Sequence, residues 1–195
     1  MRLAIFGGSF DPPHIGHLLA ASDAFEHLAL DRIILVPAAT QPLKAGRAGA
    51  SAAQRLEMAR LLVEGDARFE VSSVEVERGG LSFTVDTLMH FATRYPTAER
   101  FLLLGADVLG SFGQWREPER ILELASVVLL QRQSEAPPTP APALRDRRVR
   151  RLPTRRIDVS STEIRERVRA GKPIRGFVPD VVASYIERGD LYRES

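Results

Sequence analysis

The sequence predicts an α/β fold: an open, doubly wound parallel sheet with a small helical appendage at its C-terminal end. Three observations predict it. Short apolar runs ended by Gly or Pro read as strands buried on both faces, and segments with helical apolar spacing stand between them. With 195 residues, 44% of them hydrophobic, the chain is long enough for one substantial core but not for two large ones.

Arg2 to Phe6 is the first such run, closed by Gly7-Gly8. Gly16 to Leu30 carries Leu18, Ala21, Phe25 and Leu28 at helical spacing, and Arg32 to Val36 is a second strand ended by Pro37, completing a βαβ unit. Ser51 to Glu64 fits a helix with Ser51 as its N-cap and Leu56, Ala59 and Val63 on one stripe. Phe69 to Val76, rich in Val, reads as a third strand, and Thr84 to Tyr95 as a helix stopped by Pro96. Phe101 to Leu104 and Ser126 to Leu130 give the fourth and fifth strands around a short helix at Glu117 to Leu124. The pattern implies a strand order 3-2-1-4-5, in which the first and fourth strands are neighbours. Residues 134–143, with Pro137, Pro138, Pro140 and Pro142, read as a linker or long loop. Helices at Ser161 to Ala170 and Pro179 to Arg188, closed by Gly171 and Gly189, complete the chain. The expected division is a core over 1–156 and a helical subdomain over 157–195.

Composition narrows the chemistry. No cysteine is present, which excludes a disulfide framework, a thiolate metal site and a cysteine nucleophile. The N-terminal apolar run is too short for a signal-peptide core of about 7 to 15 residues, and no segment approaches the ~20 apolar residues that span a bilayer. A cytoplasmic location without membrane contact is therefore expected. Lys44 and Lys172 are the only lysines among 27 basic residues. Arg is the better partner for phosphate, but so general a skew is first a matter of composition; its use is to make Lys44 conspicuous.

In open parallel sheets ligands bind beyond the carboxyl ends of the strands, where the winding reverses. The first strand tip reads Gly7-Gly8-Ser9-Phe10-Asp11-Pro12-Pro13-His14-Ile15-Gly16-His17. Glycines permit a tight turn and bare backbone donors, and the helix start that follows favours an anion. His14 and His17 stand three apart and face one side, within reach of one phosphate. Zinc ligation by the same pair would need a third ligand, and His27 and His90 both lie within helices. Neither a Walker-type loop nor a Gly-x-Gly-x-x-Gly follows the first strand.

These residues resemble the first signature of the nucleotidylyltransferase superfamily, (H/T)xGH on a Rossmann-like fold. Val159-Ser160-Ser161-Thr162-Glu163-Ile164-Arg165 resembles its second signature. Within the superfamily the Pro-Pro-His form, Ser82-Phe83-Thr84-Val85-Asp86-Thr87, Gly105-Ala106-Asp107, Trp115 and the ending from Gly176 to Tyr192 are similar to the bacterial nicotinate-nucleotide adenylyltransferase family. The chain departs from that family at Leu43, where Pro-His-Lys is usual, and at Arg116, where an aromatic residue is expected.

The resemblance implies transfer of the AMP moiety of ATP to nicotinate mononucleotide, giving deamido-NAD and pyrophosphate. His14, His17 and Arg165 are then the catalytic phosphate donors. Gly7, Gly8, Ser9, Phe10, Gly16, Gly105, Asp107, Ser160, Ser161 and Thr162 would bind ATP, with Asp107 on a ribose hydroxyl. Lys44, Thr84, Val85, Trp115, Arg116 and Arg132 would bind substrate: Trp115 stacks on the pyridine ring, and Thr84 with neighbouring amides receives its carboxylate. Mg²⁺ is implied as a companion of the ATP phosphates, with no dedicated protein cage. Ser160 to Glu163 also satisfies a Ser-x-x-Glu helix cap, a role compatible with phosphate binding.

Two alternatives stand beside this reading. The acceptor could be nicotinamide mononucleotide or phosphopantetheine, although the phosphopantetheine enzymes usually carry Thr where His14 stands. A different class would be a nucleotide- or RNA-binding module without turnover, using the run Arg145, Arg147, Arg148, Arg150, Arg151, Arg155 and Arg156. That run lacks interleaved aromatics and reads more simply as a solvated edge, so no nucleic-acid partner is expected. The sequence leaves the oligomeric state open, a homo-oligomer included.

Overall fold

Six parallel strands lie in the order β3-β2-β1-β4-β5-β6 in a computed structural model that describes residues 1–40, 49–105, 108, 110–132 and 149–193. They are β1 (Arg2–Gly8), β2 (Arg32–Pro37), β3 (Phe69–Val71), β4 (Glu99–Gly105), β5 (Ser126–Arg132) and β6 (Val149–Thr154). The helices are α1 (Ile15–His27), α2 (Ala52–Leu62), α3 (Val74–Arg78), α4 (Thr84–Arg94), α5 (Pro118–Leu124), α6 (Ser161–Arg169) and α7 (Asp180–Arg188).

Strand residues alternate between two apolar layers, which is how near-continuous apolar runs serve a sheet covered on both sides. Ala4, Phe6, Ile33, Leu35, Phe101 and Leu103 pack with α1, α2, α6 and α7. Leu3, Ile5, Ile34, Val36, Leu102 and Leu104 pack with α4 and α5. The winding reverses between β1 and β4, so the tip of β1 lies at the crevice where a ligand is expected. The C-terminal helices add Ile164, Val182, Ile186 and Leu191 to the first of these layers rather than forming a core of their own.

Three expectations need correction. The third strand ends at Val71, not Val76, and Val74–Arg78 is helical. Ser72 Oγ accepts from the Val74 amide at 3.4 Å and Ser73 Oγ donates to Glu77 at 2.6 Å; such local bonds compete with a sheet ladder and turn the chain. The opening strand does not stop before the glycines, since Gly7 and Gly8 pair with Val36 and Pro37. Lastly, part of the arginine run is β6, an edge strand beside β5. Leu152 and Thr154 turn inward while Arg150 and Arg151 stay exposed, and an edge tolerates Pro153.

Candidate active site

The loop leaving β1 is held by its acceptors. Arg55, buried on α2, donates to the Ser9 carbonyl at 2.7 Å and to the Ala39 carbonyl at 2.8 Å. Arg165 donates to the Asp11 carbonyl at 2.7 Å, and Ser161 Oγ to the Pro12 carbonyl at 2.8 Å. The Asp11–Pro12 peptide is cis, and Phe10 sits in the left-handed region at φ 50° with its ring buried against Phe6 and His17. The amides of Ser9, Phe10 and Asp11 have no partner among the described residues. Carbonyls anchored on one side and unpaired amides in a chain that passes through a left-handed residue are the makings of an anion nest.

At the start of α1 the two imidazoles stack, with centroids 3.8 Å apart. His17 Nδ1 accepts from the His14 backbone N–H at 3.2 Å, which requires a lone pair there and places the His17 proton on Nε2. Burial, and then the neighbouring His14, hold His17 well below the usual imidazole range, so it is neutral at physiological pH. A Cβ on Gly16 would lie 2.9 Å from His14 Nδ1, so only glycine lets the His14 ring lie over the helix start. Most amides at this helix start are already engaged. The Ile15 amide is taken by the Phe177 carbonyl at 3.0 Å and the His17 amide by the His14 carbonyl at 2.9 Å, which leaves Gly16.

The second motif arrives at the same place. Ser160 caps α6, its Oγ accepting from the Glu163 amide at 3.1 Å. Thr162 Oγ1 accepts from Arg165 at 3.2 Å. The approach to this cap is fixed by Asp23 of α1, nearly fully buried, which takes the Arg155 guanidinium at 2.6 Å and the Arg155 amide at 2.9 Å. Arg156 in turn pairs with Asp158 at 2.8 Å. Of the described arginines in the run, these two are thus engaged with carboxylates and Arg150 lies over the Phe101 ring at 6.0 Å.

On the other side of the β1 tip lies a cavity of about 370 Å³, with Gly7 and Gly8 as the shared wall. Phe83, Thr84, Trp115, Arg116 and Gly105 also line it. Trp115 packs against Phe112 at 5.4 Å, and Arg116 spans Asp86 at 3.6 Å and the Phe83 ring at 5.0 Å. The first turn of α4 abuts this space, and the leading amides of a helix have no intrahelical partner. Val85 does not offer its side chain to it: that side chain is fully buried in the core, which leaves only its backbone for a ligand.

Sequence reasoning missed Glu75, a cavity-lining carboxyl that is only 6% exposed. Thr87 Oγ1 donates to it and accepts from Arg78 at 3.2 Å. Burial raises its pKa above the ordinary carboxylate value, against the hydrogen bonds from Thr87 and Ser82 that lower it. The signal available was the spacing of Glu75 before Ser82 and Thr87, but the expected strand there hid it. Lys44 and Asp107 fall outside the described residues, as does the side chain of Arg132 at the end of β5. Among the described residues no three His, Asp or Glu side chains form a metal-holding group, and no helix is long and apolar enough to cross a membrane.

The family model described as cytidylyltransferase-like matches residues 5–167. A protein of Gemmatimonas aurantiaca named "Probable nicotinate-nucleotide adenylyltransferase" is 50% identical over 200 residues, covering 100% of this chain and 93% of that one. One of the same name from Thermus thermophilus is 44% identical, covering 99% and 100%. In fold, the chain is similar to the Plasmodium falciparum nicotinic acid mononucleotide adenylyltransferase complexed with NaAD, with a TM-score of 0.78 at 17% identity over 98% of this chain and 97% of that one. Two motifs that meet at one strand tip, a sheet wound as the motifs require and full-length relatives at this identity converge: the chain belongs to the nicotinate-nucleotide adenylyltransferase family of cytidylyltransferase-like enzymes.

Proposed function

We propose that the protein joins ATP to nicotinate mononucleotide, forming deamido-NAD and pyrophosphate. A phosphate oxygen of the mononucleotide attacks the α-phosphorus of ATP, the bond from that phosphorus to the α,β-bridging oxygen breaks, and pyrophosphate leaves with the electron pair. The substrate brings its own nucleophile, so the protein needs only to align the phosphates and offset the charge that grows on them. The observation that carries the reading is the meeting of the two motifs at the β1 tip, through the Arg165 and Ser161 bonds to the Asp11 and Pro12 carbonyls, beside a cavity sized for a small ring.

His17 Nε2–H, His14, Arg165 and the amides of Ser9 to Asp11 are the donors for the ATP phosphates. Trp115 stacks on the pyridine ring, and Thr84 with the first amides of α4 receives the pyridine carboxylate, which favours the acid over the amide. The donor set suits polyphosphate rather than a bare cation, so Mg²⁺ enters with ATP as part of the substrate and neutralises charge on its phosphates. Lys44 and Arg132 add positive charge for the phosphates and Asp107 takes a ribose hydroxyl.

The test is product identity with ATP, Mg²⁺ and either mononucleotide. Deamido-NAD from the nicotinate form, made faster than NAD from the amide form, supports the reading; preference for the amide overturns the choice of acceptor. His17→Ala, folded by circular dichroism, is expected to lower the rate on the order of 10² to 10³, the cost of one lost transition-state donor.

A further inference from the structure

The carboxylate of Asp11 is a meeting point for two distant parts of the chain. Tyr192 Oη donates to its Oδ1 at 2.7 Å and the Ala50 amide to the same oxygen at 3.0 Å. Gly49 lies so close that a Cβ there would overlap Oδ2. Asp11 is in the loop whose Ser9, Phe10 and Asp11 amides have no partner among the described residues, and its own carbonyl is already held by Arg165.

Tyr192 comes from the segment after α7 and is placed there with some backbone strain, at φ 66°, two residues beyond Asp190 at φ 50°. Non-glycine residues persist in that region only where surrounding contacts fix them. Leu191, buried in the α7 layer, and the Leu191 amide bonded to the Ile186 carbonyl at 3.0 Å anchor the turn that aims the phenol. Burial and the Asp11 carboxylate both keep the phenol protonated, so it stays a donor. Without the phenol, Oδ1 keeps only the longer bond from the Ala50 amide, and a less restrained carboxylate turns toward the loop's own amides, where it competes with a phosphate for the same N–H groups.

We propose that Tyr192 is a positioning residue for the ATP phosphates: from the end of the chain it holds the Asp11 carboxylate turned back, so that the amides after β1 stay available to the nucleotide. This rests on the β1 tip being the ATP site, as in the function proposed above.

The test is Tyr192→Phe, which removes one oxygen, in the full-length protein. Calorimetry with MgATP alone and steady-state kinetics with both substrates give the readout. Expected is a Kd and KM for ATP raised about tenfold, the range for a lost hydrogen bond to a charged group, with KM for the mononucleotide unchanged. Asp11→Asn and the double variant close a cycle, in which adding Tyr192→Phe to Asp11→Asn costs little more. Unchanged ATP affinity in Tyr192→Phe overturns the inference, as does an equal rise in both KM values with a lowered thermal midpoint, the mark of general loosening. A wild-type protein that does not bind MgATP overturns both this inference and the proposed function, whereas wild-type turnover with an unaffected variant sinks this inference alone.

Discussion

Glu75 sits where a second negative charge would be least welcome. Its carboxyl lines the cavity proposed for a pyridine carboxylate, and burial already disfavours its ionised form. With a folded pKa raised above the ordinary 4.5, the native protein holds a proton that the unfolded chain has released, so the stability this group contributes is present at low pH. It is lost as pH rises through the folded value. Glu75→Gln keeps an acceptor for Thr87 and removes the charge. Thermal midpoints of the two proteins across pH 5 to 8 are expected to diverge toward higher pH, with the variant the more stable; parallel curves would show that Glu75 is ionised throughout. His17 illustrates the same physics in a base: burial removes its charge, and a neutral ring with its proton on Nε2 is a donor at physiological pH. The placement of individual residues was legible where a motif fixes spacing, as for His14, Gly16 and Arg165, which do meet at the β1 tip. It was hidden where it depends on burial alone, as for Glu75, or on a contact across most of the chain, as for Tyr192 with Asp11.

At the level of elements, α6 and α7 are as much a part of the sheet's covering layer as α1 and α2. Ile164, Val182 and Ile186 are at most 2% exposed, and burying one such side chain is worth about 1.5 to 3 kcal/mol. Losing several approaches the whole stability of a domain, about 5 to 15 kcal/mol. A chain cut after residue 156 is therefore expected to lose its cooperative thermal transition, and calorimetry of that fragment checks it; a sharp transition would mean that the sheet and its first five helices suffice. The elements differ in how plainly they announce themselves. Ser51 caps α2 in a reciprocal bond with Gln54, and Pro118 opens α5 in its favoured place, so both helices were readable. The strand β6 was not, because exposed arginines on an edge mask a period of two that rests on Leu152 and Thr154 alone.

Taken whole, the molecule places two features on either side of one strand tip, the proposed phosphate and pyridine half-sites: loop amides, imidazoles and Arg165 on the α1 side, and a cavity with Thr84 and Trp115 on the α4 side. The doubly wound sheet and its switch point were readable because buried parallel strands leave unmistakable apolar runs. The cavity's detailed lining was not, since it is assembled from β1, β4, α3, α4 and the turn before α5, and packing between such remote segments leaves no local pattern. Trp115 is the sole tryptophan of the chain, and it stands in that lining. The protein thus carries a built-in optical reporter: titrating nicotinate mononucleotide should quench or shift indole emission without any dye, while a ligand confined to the imidazole side should leave the fluorescence untouched.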